Sequence, residues 1–295
     1  MVAVVSQPDR ARGRGRHRTP SPVAALALER GIPLLRPERA SDPELAPALS
    51  KLAVDLGIVV AFGQFLPKRI RELPRLGHLV NAHASLLPRH RGAAPIAQAI
   101  LAGDARTGVS AMRVDKEMDA GPVCGVKEVA IGPEETAGEL SERLARLAAD
   151  LIAETVEAAA GPGLTWREQD SAQASFAPRI ERDDARLDFR EPAESLARRV
   201  RAMAPRPGAF TRWHGEPLRI LGARTAAGSP DDPPGMVRIG DDGTARVATG
   251  EGWLVPTRLQ RPGGRALDVA AFQRGRGLAD GDRLGEDAGP TARLG

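Results

Sequence analysis

An amide and an imidazole side chain lie two residues apart at the end of an apolar segment. Asn81 and His83 close a stretch that starts at Leu79, so the period-2 alternation of a β-strand would place both polar side chains on one face. An amide can donate hydrogen bonds to an oxyanion, and an imidazole can stabilise charge or move a proton. The spacing therefore predicts a site for acyl-type transfer.

A carboxylate in a later glycine-containing loop could complete this pair. Asp119 follows a predicted strand over residues 108–114 and could hold the histidine in one tautomer. By spacing alone, purely structural roles stay open for both residues. A lone histidine is more often structural than catalytic, and an aspartate in such a turn often only stabilises the turn. Neither Ser85 nor Cys124 lies in a nucleophile-elbow sequence, so a covalent acyl-enzyme is not indicated.

The residues after His83 are typical of a crevice loop that leads into a helix. Ser85-Leu86-Leu87-Pro88 forms a short apolar turn, and Ala93-Ala94-Pro95 begins a predicted helix with proline in its first turn. Open α/β sheets bind their ligands where a strand ends, a loop crosses the crevice and a helix begins. We therefore expect a binding site at this loop.

Strand and helix patterns alternate through the first half of the chain. Strands are predicted over residues 2–5, 32–35, 56–62, 77–83, 108–114 and 126–131, and helices over residues 20–29, 41–52, 67–73, 94–101 and 136–159. The second of these helices has a capping-box pattern, Ser41 with Glu44. The continuous apolar run over 56–62 is typical of a parallel sheet covered on both faces. The predicted fold class is α/β with a parallel-rich sheet.

The composition changes after residue 165. Residues 166–188 are polar, as in an interdomain linker, and a helix over 192–203 follows. Short strands over residues 217–221, 235–239, 245–249 and 252–259 then predict a small β-barrel, with a hairpin turn at Gly240–Gly243. We expect domain 1 over 1–165, a linker over 166–188, domain 2 over 189–286 and a tail over 287–295.

The charge balance favours an anionic partner. The net charge is +4, and all but four of the 42 basic residues are arginine. An arginine excess with abundant alanine is also what a GC-rich genome produces, but the charge suits phosphate, folate glutamates or RNA. Tyrosine is absent and aromatic residues make up 3% of the chain, which argues against extended stacking of nucleic-acid bases.

The single cysteine and the absence of long apolar runs restrict the environment of the protein. Cys124 cannot form an intramolecular disulfide, and a cysteine-based zinc site is not expected. No apolar run approaches the roughly 18 residues that span a bilayer, and the N-terminus lacks the charged-then-apolar pattern of a signal peptide. The sequence predicts a cytoplasmic protein without a membrane partner or a metal.

Arginines occupy alternate positions in residues 9–18. They are Arg10, Arg12, Arg14, Arg16 and Arg18. Intervening glycines and the lack of a helical period predict a flexible loop, and the third glycine of a dinucleotide fingerprint is missing. Either the loop is simply solvated, or its arginines neutralise the phosphates of a nucleic acid and release counterions.

The stretch Asn81–Ile96 closely resembles the signature of the 10-formyltetrahydrofolate-dependent formyltransferases. It reads Asn-Ala-His-Ala-Ser-Leu-Leu-Pro-Arg-His-Arg-Gly-Ala-Ala-Pro-Ile. Further matching segments extend the resemblance over about residues 2–285; they are residues 6–10 with the Gly/Arg loop, 19–22, 61–64, 107–109, 118–121 and 206–210. Within the family, the chain most resembles the members that formylate methionyl initiator tRNA.

This resemblance implies a Rossmann-like formyltransferase domain followed by a smaller OB-like β-barrel domain that binds tRNA. It assigns the catalytic roles to Asn81, His83 and Asp119. The peptide that lines the folate site of the family matches Ser85, Leu86, Leu87 and Pro88. The arginine segment corresponds to the loop with which the family enters the acceptor end of tRNA.

The resemblance also implies the substrates. The formyl donor would be 10-formyltetrahydrofolate, used without a metal, and the acceptor would be methionyl initiator tRNA. We expect the chain to act as a monomer.

The beginning of the chain departs from the family pattern. Family members have a strand, a glycine-containing loop and a helix before the strand that corresponds to residues 2–5. Because that first strand is central in the sheet, its absence would expose apolar edges and unpaired backbone groups. Two interpretations are a start codon assigned too late and a truncated protein.

Alternative functions also stay open. One is formyl transfer to another amine, from the purine pathway or on a sugar nucleotide, or hydrolysis of a formyl-folate. The other is a folate- or RNA-binding remnant that has lost catalysis.

Overall fold

A computed structural model describes residues 1–12, 17–240, 243–275 and 277–285 of the chain. The chain forms two compact units, each assembled from three sections of sequence. Unit 1 contains the described residues of 1–91 together with Gly108–Lys127 and Leu147–Ser175. Unit 2 contains Gly92–Thr107, Glu128–Arg146 and the described residues from Phe176 onward.

Sixteen strands and seven α-helices are formed by the described residues. The strands are β1 (Val4–Val5), β2 (Arg10–Arg12), β3 (His17–Thr19), β4 (Leu34–Leu35), β5 (Gly57–Val59), β6 (Leu79–His83), β7 (Arg91–Gly92), β8 (Arg106–Arg113), β9 (Val123–Ala130), β10 (Phe176–Ala177), β11 (Ala209–Trp213), β12 (Glu216–Ala226), β13 (Val237–Ile239), β14 (Ala245–Ala248), β15 (Trp253–Gln260) and β16 (Leu267–Asp268). The helices are α1 (Pro22–Glu29), α2 (Leu45–Ser50), α3 (Lys68–Arg71), α4 (Pro95–Ala102), α5 (Ala137–Ala160), α6 (Ala193–Met203) and α7 (Val269–Gln273).

Strand β6, which carries the candidate chemistry, lies inside a four-stranded sheet. The strand order is β5-β6-β8-β9, in which β5 and β6 are parallel and β6 and β8 antiparallel. A separate parallel pair joins β1 to β4. Because helices alternate with these strands along the chain, the predicted α/β class is confirmed.

A small apolar core in unit 1 fixes the start of β6. Leu79 is 8% exposed and belongs to a cluster with Leu45 of α2 and Ile70 of α3. Gly57 of β5 lies so close to the Leu79 side chain that a Cβ there would clash with it. The packing of Leu79 therefore anchors the strand whose other end carries the polar pair.

Unit 2 contains an antiparallel sheet of six strands. The strand order is β11-β12-β15-β14-β13, and β16 pairs with β15. Helix α6 buries Leu196 and Val200 completely. This sheet confirms a second domain built on antiparallel strands. The expected hairpin is formed by β13 and β14, in which Val237 is paired with Val247. Residues 241–242 of its turn, and the predicted tail over 287–295, lie outside the described residues.

Several local predictions were wrong. Helix α2 begins at Leu45 after Glu44, without a side-chain cap, so the capping box at Ser41 is not formed. Strand β5 ends at Val59 and not at 62, because Ala61 adopts a left-handed backbone conformation with φ of 47°. Strand β11 was not predicted.

The arginine segment is more regular than expected. Strands β2 and β3 pair antiparallel, with Arg10 opposite Thr19, so backbone hydrogen bonds order both ends of the predicted flexible loop. Residues 13–16 at its centre lie outside the described residues. No helix in the described part of the chain is long and apolar enough to span a membrane.

Candidate active site

Asn81 and His83 occupy the C-terminal half of β6, with paired strands on either side. Asn81 is opposite Val59 of β5 and Met112 of β8, and His83 is opposite Ser110 of β8. Both positions are therefore held by ladder hydrogen bonds, and strand alternation puts the two side chains on the same face. The structure places the predicted pair on a strand, as expected from its spacing.

The His83 ring is buried and has a protein acceptor near each of its nitrogen atoms. The side chain is 6% exposed. Its Nε2 atom lies 2.9 Å from the backbone oxygen of His90, and since a carbonyl oxygen only accepts, Nε2 carries the proton in this hydrogen bond. Its Nδ1 atom lies 3.6 Å from Oδ2 of Asp119. The ring orientation is thus fixed from both sides.

Asp119 reaches His83 from the loop that connects β8 to β9. Its backbone has a φ of +51°, a left-handed conformation that aspartate tolerates better than most residues. Two residues later, a Cβ on Gly121 would clash with the backbone oxygen of Arg113, so the loop returns close to the end of β8. The structure therefore brings His83 and Asp119 together across 36 residues of sequence.

The Asn81 side chain is partly open to solvent at the end of β6. It is half-buried, and none of the described residues hydrogen-bonds its amide group. A half-buried amide that no neighbour satisfies is available to a substrate oxygen. Asn81 and His83 lie two residues apart on the strand, roughly 7 Å between Cα atoms, so a small group bound by the Asn81 amide would lie close to the His83 ring.

The predicted folate peptide is a rigid turn directly after β6. The Ser85 side chain is completely buried, and its hydroxyl donates to the backbone oxygen of Arg89 at 2.6 Å. Ser110 accepts from the Leu87 backbone N–H at 3.1 Å and donates to the Ser85 carbonyl at 2.8 Å. Ser85 is therefore occupied by the protein, and it shapes the turn rather than offering its hydroxyl.

The remaining residues of that turn are accessible. Leu86, Leu87 and Pro88 are half-buried, and the peptide bond between the last two is cis. Apolar side chains that are partly open to solvent suit a flat aromatic ligand. Their assignment to a folate site stays a prediction.

Two polar side chains lie beside the Asp119 loop, and no sequence pattern assigns either of them a role of its own. Arg91, 3% exposed, donates to Oε1 of Gln169 from Nε at 3.0 Å and from Nη2 at 2.8 Å. The Nε2 group of Gln169 donates to the backbone oxygens of Asp119 at 2.8 Å and of Gly121 at 2.7 Å. Arg91 belongs to the recognised signature, but Gln169 lies in the predicted linker, where no local pattern indicates a site.

The arginine segment is described only in part. Arg10 and Arg18 are exposed, and the neighbouring Asp9 pairs with Arg36 at 2.8 Å. The side chain of Arg12 and the whole of Arg14 and Arg16 lie outside what the structure describes. Their role toward tRNA stays a prediction.

Other candidate groups are less suited to chemistry. Cys124 on β9 directs its half-buried Sγ toward the backbone oxygen of Ala111 at 3.4 Å. Burial raises the pKa of the Cys124 thiol, so it is held in the protonated, weakly nucleophilic form. Within the described residues, no cluster of three or more His, Cys, Asp or Glu side chains could hold a metal ion.

Known protein families match nearly the whole chain. The family described as Formyl transferase matches residues 1–156, and the family described as Formyl transferase, C-terminal domain, matches residues 179–277.

Similar proteins extend this match. A protein of Halorhodospira halophila named methionyl-tRNA formyltransferase is 46% identical over 281 residues, which cover 95% of this chain and 90% of that protein. A protein of the same name from Roseiflexus sp. is 43% identical over 295 residues, covering 100% of this chain and 89% of that one. Among solved structures, HypX from Aquifex aeolicus in complex with tetrahydrofolic acid has a TM-score of 0.60 at 17% identity, covering 83% of this chain and 43% of that one. This structural likeness concerns the fold.

Proposed function

The chain belongs to the formyl transferase family, and on this premise we propose that it transfers the formyl group of 10-formyltetrahydrofolate to the amino group of methionyl initiator tRNA. The product is N-formylmethionyl-tRNA, used to initiate translation. The observation that carries this function is the close relation, over nearly the whole chain, to proteins named methionyl-tRNA formyltransferase. The placement of Asn81, His83 and Asp119 supports the chemistry.

The formyl donor is folate-derived, as the family requires, and a structural neighbour is known with tetrahydrofolic acid. We assign its binding to the accessible apolar side chains of Leu86, Leu87 and Pro88, whose turn is held by Ser85 and Ser110. A formyl donor bound at this turn would lie next to the C-terminal end of β6. No metal is required for the transfer.

In the reaction, the methionine amine attacks the formyl carbon attached to N10 of the folate. A C–N bond forms to the amine, the bond from N10 to the formyl carbon breaks, and one proton passes on balance from the amine to N10. Asn81 donates an amide N–H to the oxyanion that develops on the formyl oxygen. His83 supplies positive charge beside it, and Asp119 orients the ring and assists proton movement.

The acceptor tRNA is bound by the arginine segment and by the second domain. We place catalysis in residues 1–165 and tRNA binding in residues 189–286, joined by 166–188. Hairpin strands β2 and β3 present Arg10 and Arg18 in exposed positions, and the segment between them carries Arg12, Arg14 and Arg16. We propose a cytoplasmic monomer that acts without a membrane.

Replacing Arg12, Arg14 and Arg16 by glutamine is expected to raise KM for tRNA on the order of 10-fold. Each lost phosphate contact should also reduce the slope of log affinity against log salt by roughly 0.7–0.9. Initial rates measured across a salt series check both effects. The matched control replaces the exposed Arg30, Arg69 and Arg75 by glutamine, which changes the net charge equally. An unchanged salt slope in the first variant would show that the segment is merely solvated.

The function is tested with the purified 295-residue chain, 10-formyltetrahydrofolate and methionyl initiator tRNA. Formylmethionine released from the tRNA is quantified, and glycinamide and amino-sugar nucleotide acceptors are assayed in parallel. Formylation of the tRNA alone supports the proposal. Transfer to another amine, donor hydrolysis without transfer, or tRNA binding without product would each replace it by one of the alternative functions.

A further inference from the structure

The loop that carries Asp119 is tied to a glutamine far away in the sequence. We propose that Gln169 is the positioning residue of Asp119 and that Arg91 sets the orientation of the Gln169 amide. This inference rests on the proposed function, because it concerns the same site. Neither residue touches the reacting atoms.

The orientation of the Gln169 amide follows from the chemistry of its neighbours. A guanidinium group only donates hydrogen bonds. The Gln169 atom that accepts from Nε and Nη2 of Arg91, at 3.0 and 2.8 Å, must therefore be the amide oxygen. A flipped amide would place two donors against Arg91 and an acceptor against two carbonyl oxygens. Arg91 therefore leaves only one arrangement of Gln169, with its NH₂ group toward the catalytic loop.

The NH₂ group of Gln169 uses both of its hydrogen atoms on this loop. It donates to the backbone oxygens of Asp119 at 2.8 Å and of Gly121 at 2.7 Å, and so holds the chain at and after the catalytic aspartate. The backbone of Asp119 is left-handed, with a φ of +51°, a conformation that the surrounding contacts must maintain. A fixed backbone at Asp119 fixes the direction of its Cα–Cβ bond and so limits where the carboxylate can lie.

The arrangement has little freedom on the Arg91 side as well. Arg91 is 3% exposed, and its backbone N–H donates to the backbone oxygen of Ser175 at 2.9 Å. Since a buried guanidinium needs its hydrogen bonds, losing Gln169 Oε1 would leave two donors unsatisfied. The side chain of Arg91 thus restricts the Gln169 side chain, and Gln169 in turn restricts the backbone at Asp119.

The effect on activity is tested by replacing Gln169 with leucine. We expect kcat for methionyl-tRNA formylation to fall on the order of 10- to 100-fold with both KM values within about twofold of wild type, because misplacing a catalytic group by about 1 Å can have that effect. Gln169→Glu keeps the shape and the contact with Arg91 but places its second carboxylate oxygen against two carbonyl oxygens, so it should not restore kcat. Gln173→Leu is the matched control, because the exposed Gln173 side chain donates to the Asp170 carboxylate and lies away from the Asp119 loop in sequence.

A double-mutant cycle separates positioning from general structural support. In an Asp119→Asn background, measured by single turnover, Gln169→Leu should lower the rate by less than about twofold, because the group it positions is already lost. A full further 10- to 100-fold loss in that background overturns the proposal, as does wild-type kcat in Gln169→Leu or Gln169→Glu.

Hydrogen–deuterium exchange tests positioning without relying on activity. Exchange in the peptide over residues 113–122 should become on the order of 10-fold faster in Gln169→Leu and stay unchanged in Gln173→Leu, with the rest of the chain protected as in wild type. Unchanged exchange in that peptide, or loss of protection throughout the chain, overturns the role of Gln169. A wild-type chain that forms no formylmethionyl-tRNA would instead refute the proposed function, and the exchange result would still decide the role of Gln169.

Discussion

Replacing Asn81 by alanine is expected to lower kcat about 10²- to 10³-fold with little change in KM for either substrate. This is the typical loss when one preorganised oxyanion donor is removed. Asn81 is half-buried on β6, and its amide has no hydrogen-bond partner among the described residues, so folding should not depend on that group. Steady-state and single-turnover formylation, together with thermal unfolding, measure the two effects separately.

An isosteric variant distinguishes the donor from the shape of the Asn81 side chain. Asn81→Asp keeps the volume but replaces the NH₂ donor with a carboxylate oxygen, which repels an oxyanion. We expect it to be at least as inactive as Asn81→Ala. Near wild-type turnover in either variant would show that Asn81 is not a catalytic residue.

Replacing His83 by alanine is expected to lower kcat by about 10²- to 10⁴-fold, the range that positioned acid–base groups contribute. In the proposed reaction, the variant loses the imidazole that stabilises charge on the reacting formyl group. It also loses the ring whose Nδ1 atom lies 3.6 Å from Oδ2 of Asp119. The side chain is only 6% exposed, so alanine leaves a cavity that could also reduce stability. Formylation rates must therefore be compared at matched folded fractions.

Two further variants keep the His83 experiment decisive. His83→Gln retains a donor for the backbone oxygen of His90 while lacking the charge, and it should fold and stay inactive. His214→Ala is the control for kcat, because His214 is 55% exposed and pairs with Asp282 away from Asn81, His83 and Asp119. Its KM for tRNA is measured separately, since residue 214 lies in the domain to which we assign tRNA binding. An active His83→Gln variant would show that a neutral donor suffices and that His83 does not act through its charge.

The polar pair of the site was predictable from local periodicity. Residues two apart on a strand share a face, so the sequence alone could place Asn81 and His83 together once β6 was recognised. The approach of Asp119 needed more, because it depends on β6 and β8 being antiparallel neighbours and on a left-handed turn after β8. The position of Asp119 in a glycine-containing loop after a predicted strand made it a candidate, and only the family resemblance assigned it a catalytic role.

Gln169 shows where sequence reasoning ends. It lies 50 residues beyond Asp119, in a polar segment whose composition indicates a linker, and its role depends on a tertiary contact with two backbone oxygens.

The predicted end of strand β5 was wrong because backbone conformation, and not apolar character, ends the strand. The apolar run over 56–62 continues past Val59, but the backbone at Ala61 turns away from the extended conformation.

The half-buried thiol of Cys124 makes the protein convenient for site-specific spectroscopy. Maleimide dyes react with thiolates, and burial raises the pKa of this thiol while Sγ is engaged by the backbone oxygen of Ala111. A cysteine introduced at an exposed position such as Ala172 would therefore be labelled much faster than the native one. Fluorescence reporters could be attached at a single chosen point in the otherwise unaltered chain.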